Sequence, residues 1–267
     1  MVTGAAGGIG GAVAQRLQGE GPLVLLDIDA AALHAAAAPL AGAQVEVIPC
    51  DVRDAEAVAT AAERIASVGP VARLVCAAGI GPAQTDDGRR ILEVDLRGSA
   101  RMMAALRPLM GAGSAIVNIG SVASARSPLD ADAALVDPLG DDWEATWSRV
   151  RPDAWTAYAY SKRGLLLHSR RRAVEWARDG VRVNIVSPSQ TATALGAATI
   201  AENPEIAEFV SRIPMGRMAQ PSEVAEAVAF LAGPGASFIT GVELFVDGGA
   251  GAAGQAMKPP TQGASVA

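Results

Sequence analysis

Short apolar runs alternate with longer stretches of helical periodicity along most of the chain. The runs are continuously apolar, as expected of strands that are buried on both faces of a sheet. They predict strands at residues 23–27, 45–49, 74–77, 115–119, 181–186 and 242–246. Helical periodicity covers, among others, residues 55–67, 91–110, 162–178 and 222–231. This alternation indicates βαβ units, so we expect an α/β fold with a single doubly wound parallel sheet and helices on both faces.

Three segments interrupt the alternation. Residues 125–150 form an acidic insertion between a predicted strand and a predicted helix. Residues 189–220 form a long connection without strand character, and connections of that length are usually functional lids or disordered. Residues 250–267 are rich in Gly, Ala and Pro and predict a flexible C-terminal tail. Because no repeat or linker divides residues 1–249, we expect them to form one domain that includes the insertion and the lid.

Composition narrows the class of protein. Of 267 residues, 50% are hydrophobic and 19% are charged, which suits a globular domain with a large core. The net charge of −6 provides no basic surface for nucleic acid or for an anionic membrane, so neither is expected as a partner. No apolar run approaches the ~20 residues of a membrane span, and the N-terminus lacks the basic region of a signal peptide. The cytoplasm is therefore the expected location.

Cysteine and histidine are too scarce for several common kinds of site. Cys50 and Cys76 each end an apolar run, and two cysteines in a chain of this length indicate reduced core thiols. His34 and His168 lie far apart and lack the spacing of metal ligands. We therefore expect no metal site and no Ser-His-Asp triad.

The chain opens on a glycine-rich loop that suits a dinucleotide phosphate. Gly4, Gly8 and Gly10 allow a tight turn, and the helix that follows would direct its N-terminal amides at a pyrophosphate. The next predicted strand ends in Asp27, which can accept hydrogen bonds from the adenosine ribose hydroxyls and would repel a 2′-phosphate. The pattern favours NAD over NADP. The alternatives are that the glycine-rich segment is a chance turn and that Asp27 has a purely structural role.

Only Met1 and Val2 precede this loop, whereas strands usually run about five or six residues. The first strand of a doubly wound sheet lies near its middle, where a short strand loses core contacts. Our hypothesis is that the natural start lies upstream, in which case a version extended at the N-terminus should melt at a higher temperature.

Both tyrosines of the chain lie in the segment Tyr158-Ala159-Tyr160-Ser161-Lys162. Tyr158 and Lys162 are four positions apart, which places them on one face of a helix. A fixed ammonium stabilises a nearby phenolate, so the pair can serve as a general acid or base, although an ordinary helical pair has the same spacing. Ser121 follows the strand at residues 115–119, which places a hydroxyl at the carboxyl edge, where open α/β sheets bind ligands.

Several motifs occur together and in a fixed order between Val2 and Gly249. They are Thr3 to Gly10, Ala77-Ala78-Gly79, Asn118-Ile119-Gly120-Ser121, Tyr158 to Lys162, Arg182-Val183-Asn184 with Ser187-Pro188, and Val246-Asp247-Gly248-Gly249. Their combination resembles the short-chain dehydrogenase/reductase family. The resemblance implies a Rossmann-type dehydrogenase domain over residues 1–249 that binds NAD.

The resemblance implies catalytic roles for four residues. Tyr158 would exchange a proton with the substrate oxygen, Lys162 would bind the nicotinamide ribose and assist Tyr158, and Ser121 would hydrogen-bond the substrate carbonyl. Asp95 takes the position of a helix asparagine that helps to relay protons through water to the lysine. An ionised Asp95 would offset the lysine charge and move the pH–rate profile upward, unless its side chain faces solvent.

The resemblance also implies which residues hold the cofactor. Asp51 and Val52 would contact adenine, and Thr191 and Thr193 would hold the nicotinamide carboxamide. Cys76 stands where the family usually has asparagine. The full expected set is Gly4, Gly8, Ile9, Gly10, Asp27, Asp51, Val52, Ala78, Gly79, Tyr158, Lys162, Pro188, Thr191 and Thr193.

The acidic insertion separates Ser121 and Tyr158 more widely than is usual in the family. Together with residues 76–82 and 121–125, it resembles the bacterial 3α-hydroxysteroid dehydrogenases/carbonyl reductases. The resemblance implies an NAD(H)-dependent enzyme for a secondary alcohol or ketone that is bulky and hydrophobic, or steroid-like. Two alternatives remain: an enzyme that acts on another cyclic or aromatic alcohol, and a non-catalytic NAD-binding regulator. The lid contains apolar residues that would suit a bulky hydrophobic substrate, or that could instead pack on the core. They are Leu195, Ile200, Phe209, Ile213 and Met215.

The resemblance further implies a homodimer or a homotetramer. Family members often pair through the outer face of the catalytic helix, which is the predicted helix that carries Tyr158 and Lys162. The acidic insertion could cover that face, or it could form a solvated surface loop.

Overall fold

The computed structural model describes residues 1–40, 44–126, 137–144, 147 and 153–256. In this part of the chain, seven parallel strands form one sheet in the order β3-β2-β1-β4-β5-β6-β7. The strands are β1 (Val2–Thr3), β2 (Leu23–Asp27), β3 (Val45–Pro49), β4 (Arg73–Cys76), β5 (Ala115–Ile119), β6 (Arg182–Pro188) and β7 (Glu243–Val246). The expected α/β fold with a single doubly wound parallel sheet and helices on both faces is confirmed.

Helices connect successive strands, and one more helix follows β7. They are α1 (Gly8–Arg16), α2 (Ala30–Ala37), α3 (Ala55–Val68), α4 (Gly88–Leu92), α5 (Ser99–Leu106), α6 (Ala154–Trp176), α7 (Ala194–Glu202), α8 (Pro204–Ser211), α9 (Pro221–Ala232) and α10 (Ala250–Ala256). A π-helical turn, Glu93–Gly98, joins α4 to α5. A 3-10 turn, Val122–Arg126, follows β5.

Two apolar cores lie on opposite faces of the sheet. Leu74 of β4 belongs to one core with residues of α3 and α5, whereas its neighbour Val75 belongs to the other with residues of α1, α2 and α9. This division follows from the alternation of side chains along a strand. In the described part of the chain, no helix is long and apolar enough to cross a membrane.

The strands follow the sequence pattern closely, and the helices follow it less well. Strands β2, β3 and β5 have the predicted bounds. Helix α6 begins earlier than predicted because Asp153 caps it and accepts the amides of Trp155 and Thr156. The helix predicted at residues 91–110 is divided by the π-helical turn. Strand β1 has two residues, and the hypothesis of a longer first strand stays a prediction.

The three interrupting segments are partly described. The lid contains helices α7 and α8, and a bridge between Thr191 and Ala219 joins its two ends. The predicted flexible tail instead begins with helix α10, because the Asp247 carboxylate accepts the amides of Gly249 and Gly251 and caps that helix. Residues 257–267 lie outside the described residues, as does the insertion apart from residues 125–126, 137–144 and 147.

Candidate active site

The loops that follow β1, β4, β5 and β6 meet at one edge of the sheet. The strand order reverses between β1 and β4, and a crevice forms at such a reversal outside the carboxyl ends of parallel strands. These four loops carry, in order, the glycine-rich segment, Ala78 with Gly79, Ser121, and the lid. The fold therefore brings most of the predicted site residues to the crevice.

The glycine-rich loop needs glycine at two positions in particular. Gly4 has a φ of 64°, and a Cβ there would lie 2.6 Å from the backbone of Ala77. A Cβ on Gly10 would lie 2.1 Å from the carbonyl oxygen of Gly4, which also accepts the amide of Gly7 at 3.0 Å. The loop thus forms a side-chain-free cradle directly before α1, whose positive end faces the same region. This cradle fits the pyrophosphate of a dinucleotide. Ile9 follows at the start of α1 and is partly buried.

Asp27 closes strand β2 beside this cradle. Its Oδ2 accepts the amide of Ala6 at 3.1 Å, and its Oδ1 accepts the amide of Asp29 at 3.1 Å. These two bonds fix the carboxylate, and each oxygen keeps a lone pair that can accept a ribose hydroxyl. The position therefore suits the role that the sequence predicts for Asp27.

Asp51 and Val52 lie beyond the carboxyl end of β3. The Arg53 guanidinium lies 2.7 Å from Asp51 Oδ2 and holds the pKa of that carboxyl below its ordinary value. Val52 is buried against the π-helical turn, since a Cβ on Gly98 would lie 2.5 Å from Val52 Cγ2. An adenine contact at Asp51 would therefore share the carboxylate with Arg53.

Thr3 connects β1 to the loop after β4. Its Oγ1 accepts the amides of Ala77 at 3.1 Å and Ala78 at 3.2 Å, which fixes the segment that enters the crevice. A Cβ on Gly79 would lie 3.4 Å from the carboxylate oxygens of Asp95, so this loop also packs on the π-helical turn. Thr3 has no role among the sequence predictions, although its place directly before Gly4 is a signal for one.

Lys162 lies at the centre of the candidate catalytic group. Its Nζ is 3.0 Å from Asp95 Oδ2, 3.3 Å from the carbonyl oxygen of Ile119 and 5.4 Å from the centre of the Tyr158 ring. Asp95 Oδ1 accepts the amide of Ile80 at 2.8 Å. Asp95 is buried at 1% exposure, so the interpretation that it faces solvent is wrong. Tyr158 is only partly buried, so part of the residue is accessible to solvent.

Burial and mutual attraction set the pKa values of the Asp95–Lys162 pair. Burial raises the pKa of Asp95 above its ordinary value, against the opposing effects of Lys162 and the Ile80 amide. Burial acts to lower the pKa of Lys162, but Asp95 and Tyr158 outweigh it and keep that pKa above its ordinary value. Lys162 is therefore a cation whose field is partly offset by Asp95.

Ser121 stands at the carboxyl end of β5 and is buried, with 8% exposure. Its Oγ accepts the amide of Ala123 at 3.1 Å, and its carbonyl oxygen accepts the amide of Ser124 at 3.0 Å. The turn that these bonds form packs against α6, the helix that carries Tyr158. The Ala123 amide occupies one lone pair of Ser121 Oγ, and the hydroxyl proton remains as a donor to a substrate oxygen.

The lid carries Thr191 and Thr193 and brings Thr193 against the glycine-rich loop. Pro188 ends β6 and is buried, and Thr191 Oγ1 donates to the carbonyl oxygen of Ser189 at 3.2 Å. Thr193 caps helix α7 by accepting the amide of Gly196 at 3.0 Å. A Cβ on Gly8 would lie 2.5 Å from Thr193 Cγ2, so the start of α7 contacts the phosphate cradle.

Apolar side chains pack together around Tyr158. Ile80, Trp147 and Tyr158 pack against one buried cluster that includes Trp143 of the acidic insertion. A Cβ on Gly81 would lie 3.3 Å from Leu195, so the lid contacts the loop that follows β4. Among the other apolar lid residues, Ile213 is buried beneath Gly248, and Met215 is exposed.

The described part of the acidic insertion docks on arginines of the outer surface. Asp137 lies 3.6 Å from both Arg171 and Arg172 of α6. Arg97 donates to the carbonyl oxygen of Pro138 at 2.9 Å and stacks 4.9 Å from the centre of the Trp143 ring. Residues 137–144 therefore cover part of the outer face of α6 and of the π-helical turn.

Comparison with known proteins agrees with this architecture. A family model described as enoyl-(acyl carrier protein) reductase matches residues 4–134 and 145–251. Galactitol 2-dehydrogenase (L-tagatose-forming) of Cereibacter sphaeroides is 38% identical over 93% of this chain and 92% of its own length. Cis-4-hydroxycyclohexanecarboxylate dehydrogenase of Sinomonas cyclohexanicum is 37% identical over 93% of this chain and 94% of its own length. For 3-alpha-hydroxysteroid dehydrogenase/carbonyl reductase of Comamonas testosteroni, the identity is 34% over 81% and 90% of the two chains.

Solved structures show the same fold over nearly the whole chain. A dehydrogenase/reductase from Sinorhizobium meliloti superposes with a TM-score of 0.76 at 30% identity, covering 93% of each chain. An oxidoreductase of the short chain dehydrogenase/reductase family from Burkholderia thailandensis superposes with a TM-score of 0.73 at 30% identity. That match covers 94% of this chain and 91% of the other.

Proposed function

Because the chain belongs to the short-chain dehydrogenase/reductase family, we propose that it is an NAD(H)-dependent oxidoreductase that interconverts a secondary alcohol and a ketone. The observation that carries this proposal is the position of Lys162, 5.4 Å from the Tyr158 ring and next to the carboxyl end of β5. A phenol beside a fixed ammonium, a serine hydroxyl and a glycine cradle together provide proton transfer, substrate orientation and dinucleotide binding.

Each residue has a distinct task in this reaction. A bound nicotinamide cofactor supplies or accepts the hydride. Tyr158 removes the alcohol proton during oxidation and returns it during reduction. Ser121 donates a hydrogen bond to the same substrate oxygen, and Lys162 stabilises the phenolate form of Tyr158. Gly4, Gly8 and Gly10 hold the pyrophosphate at the start of α1.

We propose NAD rather than NADP as the cofactor. The Asp27 carboxylate is fixed by two backbone amides at the end of β2, where it can accept ribose hydroxyls. A 2′-phosphate at the same place would meet this negative charge at short range. We therefore assign the discrimination between NAD and NADP to the fixed carboxylate of Asp27.

For the substrate, we propose a bulky, hydrophobic secondary alcohol, either steroid-like or another cyclic or aromatic alcohol. Ile80, Trp147 and Leu195 provide apolar surfaces near the catalytic group, and these surfaces suit a ring rather than a polyol chain. Two relatives represent the contrast between a polyol and a ring: one is named for galactitol and the other for a hydroxycyclohexanecarboxylate. The substrate panel below compares them directly.

We also propose that the enzyme works as a homodimer or a homotetramer. In the described part of the chain, β7 pairs on one side only, and Phe230, Phe238 and Phe245 on β7 and the elements before it are exposed. An open strand edge with exposed aromatic side chains is typical of an association surface. Light scattering after size exclusion should show an assembly that Phe238→Asp weakens. A tetramer would contradict a blocking role for residues 137–144 on the face of α6.

The first test of this proposal is NADH production by the purified protein. The panel contains a 3α-hydroxysteroid, a cyclohexanol, an aromatic alcohol and galactitol, each with NAD and with NADP. We expect turnover of at least one cyclic alcohol with NAD, and a loss of about 10²-fold or more in Tyr158→Phe. Tyr160→Phe is the matched control, since Tyr160 is buried in the neighbouring cluster and should keep wild-type activity.

Other outcomes would change the proposal in specific ways. Turnover of galactitol alone would keep the reaction and contradict the apolar substrate. Full activity in Tyr158→Phe would contradict the mechanism. NAD binding without turnover of any alcohol would favour the alternative of a non-catalytic NAD-binding regulator.

A further inference from the structure

Glu243 is the first residue of β7, the edge strand of the sheet, and it reaches the turn that follows Ser121. Its Oε1 accepts the hydroxyl of Ser187 at 2.7 Å and the hydroxyl of Ser124 at 3.1 Å. Ser187 belongs to β6 and Ser124 to the turn Val122–Arg126. One carboxylate oxygen therefore joins two strands of the sheet to the turn beside the crevice.

Both serines are buried, so their hydroxyls need a partner within the protein. Ser187 is 0% exposed and Ser124 is 3% exposed. A Cβ on Gly120 would lie 2.4 Å from Ser187 Oγ, so the serine side chain fills the space that the glycine leaves open. Without the carboxylate, two buried hydroxyl donors would lose the same acceptor, which is costly in a dry environment.

The turn that Glu243 holds is the one that orients Ser121. The amide of Ser124 donates to the Ser121 carbonyl at 3.0 Å, and the amide of Ala123 donates to Ser121 Oγ at 3.1 Å. The second of these bonds leaves the Ser121 proton free for a substrate oxygen. A shift of Ser124 would therefore displace Ala123 and change the direction in which Ser121 donates.

We propose that Glu243 is a positioning residue for Ser121, acting through the hydroxyl of Ser124. The inference rests on the proposed function, because it concerns the serine of the same site. Glu243 does not contact the reacting atoms. It fixes the geometry of a group that does, and geometric errors of about 1 Å in such groups reduce rates strongly.

The kinetic test is a double-mutant cycle between Glu243 and Ser121. Glu243→Ala should lower kcat/KM by about tenfold in the wild-type background and by less than about twofold in the Ser121→Ala background. Ser124→Ala should reproduce the first effect. Glu243→Gln keeps an acceptor oxygen at the same place and should stay within about threefold of wild type. Equal losses in both backgrounds, or a Glu243→Gln loss as large as that of Glu243→Ala, would overturn the proposal.

A second measurement does not require turnover. Hydrogen exchange of the amides in residues 120–126 should become faster in Glu243→Ala and stay unchanged in Glu243→Gln. Glu226→Ala is the control, since Glu226 forms an exposed ion pair with Arg16 and its substitution should leave exchange in residues 120–126 unchanged. Unchanged exchange in Glu243→Ala would also overturn the proposal. Faster exchange in a protein that turns over no alcohol would retain the anchoring of the turn and reject the proposed function instead.

Discussion

The Asp95 carboxylate and the Lys162 ammonium lie 3.0 Å apart in a pocket that leaves them 1% and 6% exposed. The π-helical turn Glu93–Gly98 places Asp95 there, and the Ile80 amide holds its other oxygen at 2.8 Å. Turns of this kind occur often at functional sites. A buried anion next to the lysine weakens the positive field that Tyr158 experiences.

Replacing this anion should move the pH dependence of the reaction. In Asp95→Asn the Lys162 charge is no longer offset, so the phenolate of Tyr158 is favoured at lower pH. We expect the pH–rate profile of alcohol oxidation to shift downward by about one unit. Steady-state rates across pH measure this shift. Asp179→Asn, which removes an exposed acid paired with Arg107, is the control, and an unchanged Asp95→Asn profile would contradict the electrostatic role.

Asp27 should decide the choice between NAD and NADP. Asp27→Asn keeps the shape of the side chain and an acceptor for one backbone amide, but it removes the charge that faces the ribose. We expect NAD binding to weaken about tenfold and the preference for NAD over NADP to narrow. Titration calorimetry with both cofactors measures these affinities. Asp29→Asn, at the exposed cap of α2, should change neither, and equal effects of the two substitutions would point to a structural Asp27.

A methyl group at Gly10 should damage the phosphate cradle. The Cβ of Gly10→Ala would lie 2.1 Å from the Gly4 carbonyl oxygen, so the loop must move and its amides must leave their positions. We expect NAD affinity to fall at least about tenfold, with a lower melting temperature. Gly111→Ala is the control, because nothing lies within 4 Å of a Cβ there. Wild-type affinity in Gly10→Ala would mean that the loop does not hold the cofactor.

Glu223 should stabilise the fold at neutral pH, at the point where the lid joins α9. Hydrogen bonds from Arg217 and the Gln220 amide lower the pKa of Glu223 from 4.5 to about 2. A carboxyl group with a lowered pKa stabilises the fold above its unfolded pKa and loses this contribution as pH falls. The contribution should therefore be complete above pH 4.5 and disappear between pH 4.5 and about 2.

Melting temperatures across pH measure this effect. Glu223→Gln should melt below wild type at neutral pH, and the difference should vanish near pH 2. The difference in melting temperature should be small, because exposed ion pairs contribute little to the free energy of unfolding. A constant difference between Glu223→Gln and wild type at every pH would contradict the assignment.

The sequence predicted the elements whose signals are local. Strands β2, β3 and β5 have their predicted bounds because a strand buried on both faces is a continuous apolar run. Tyr158 and Lys162 share a face of α6 because a spacing of four residues does so in any helix. The glycines of the first loop and Asp27 could be found in the same way, from short segments with known conformational needs.

The contacts that tune these residues could not be predicted in this way. The sequence left open whether Asp95 meets Lys162 or solvent, because a π-helical turn rotates its side chain inward without a clear local signal. The lid contains two helices, because Thr193 caps α7 and Asn203 caps α8. Helix α10 begins where a flexible tail was expected, because Asp247 accepts amides of its first turn. Caps of this kind are short-range, yet they are easily missed between long apolar segments.

The sequence by itself therefore determined the fold class, the glycine cradle and the Tyr158–Lys162 pair, since periodicity and short spacings act within one element. Only the tertiary structure shows that two further carboxylates contact residues of the candidate site. Asp95 reaches Lys162 from the turn between α4 and α5, and Glu243 reaches the Ser121 turn from β7. Both contacts depend on the order in which the strands pair, which brings residues that are distant along the chain within hydrogen-bonding distance.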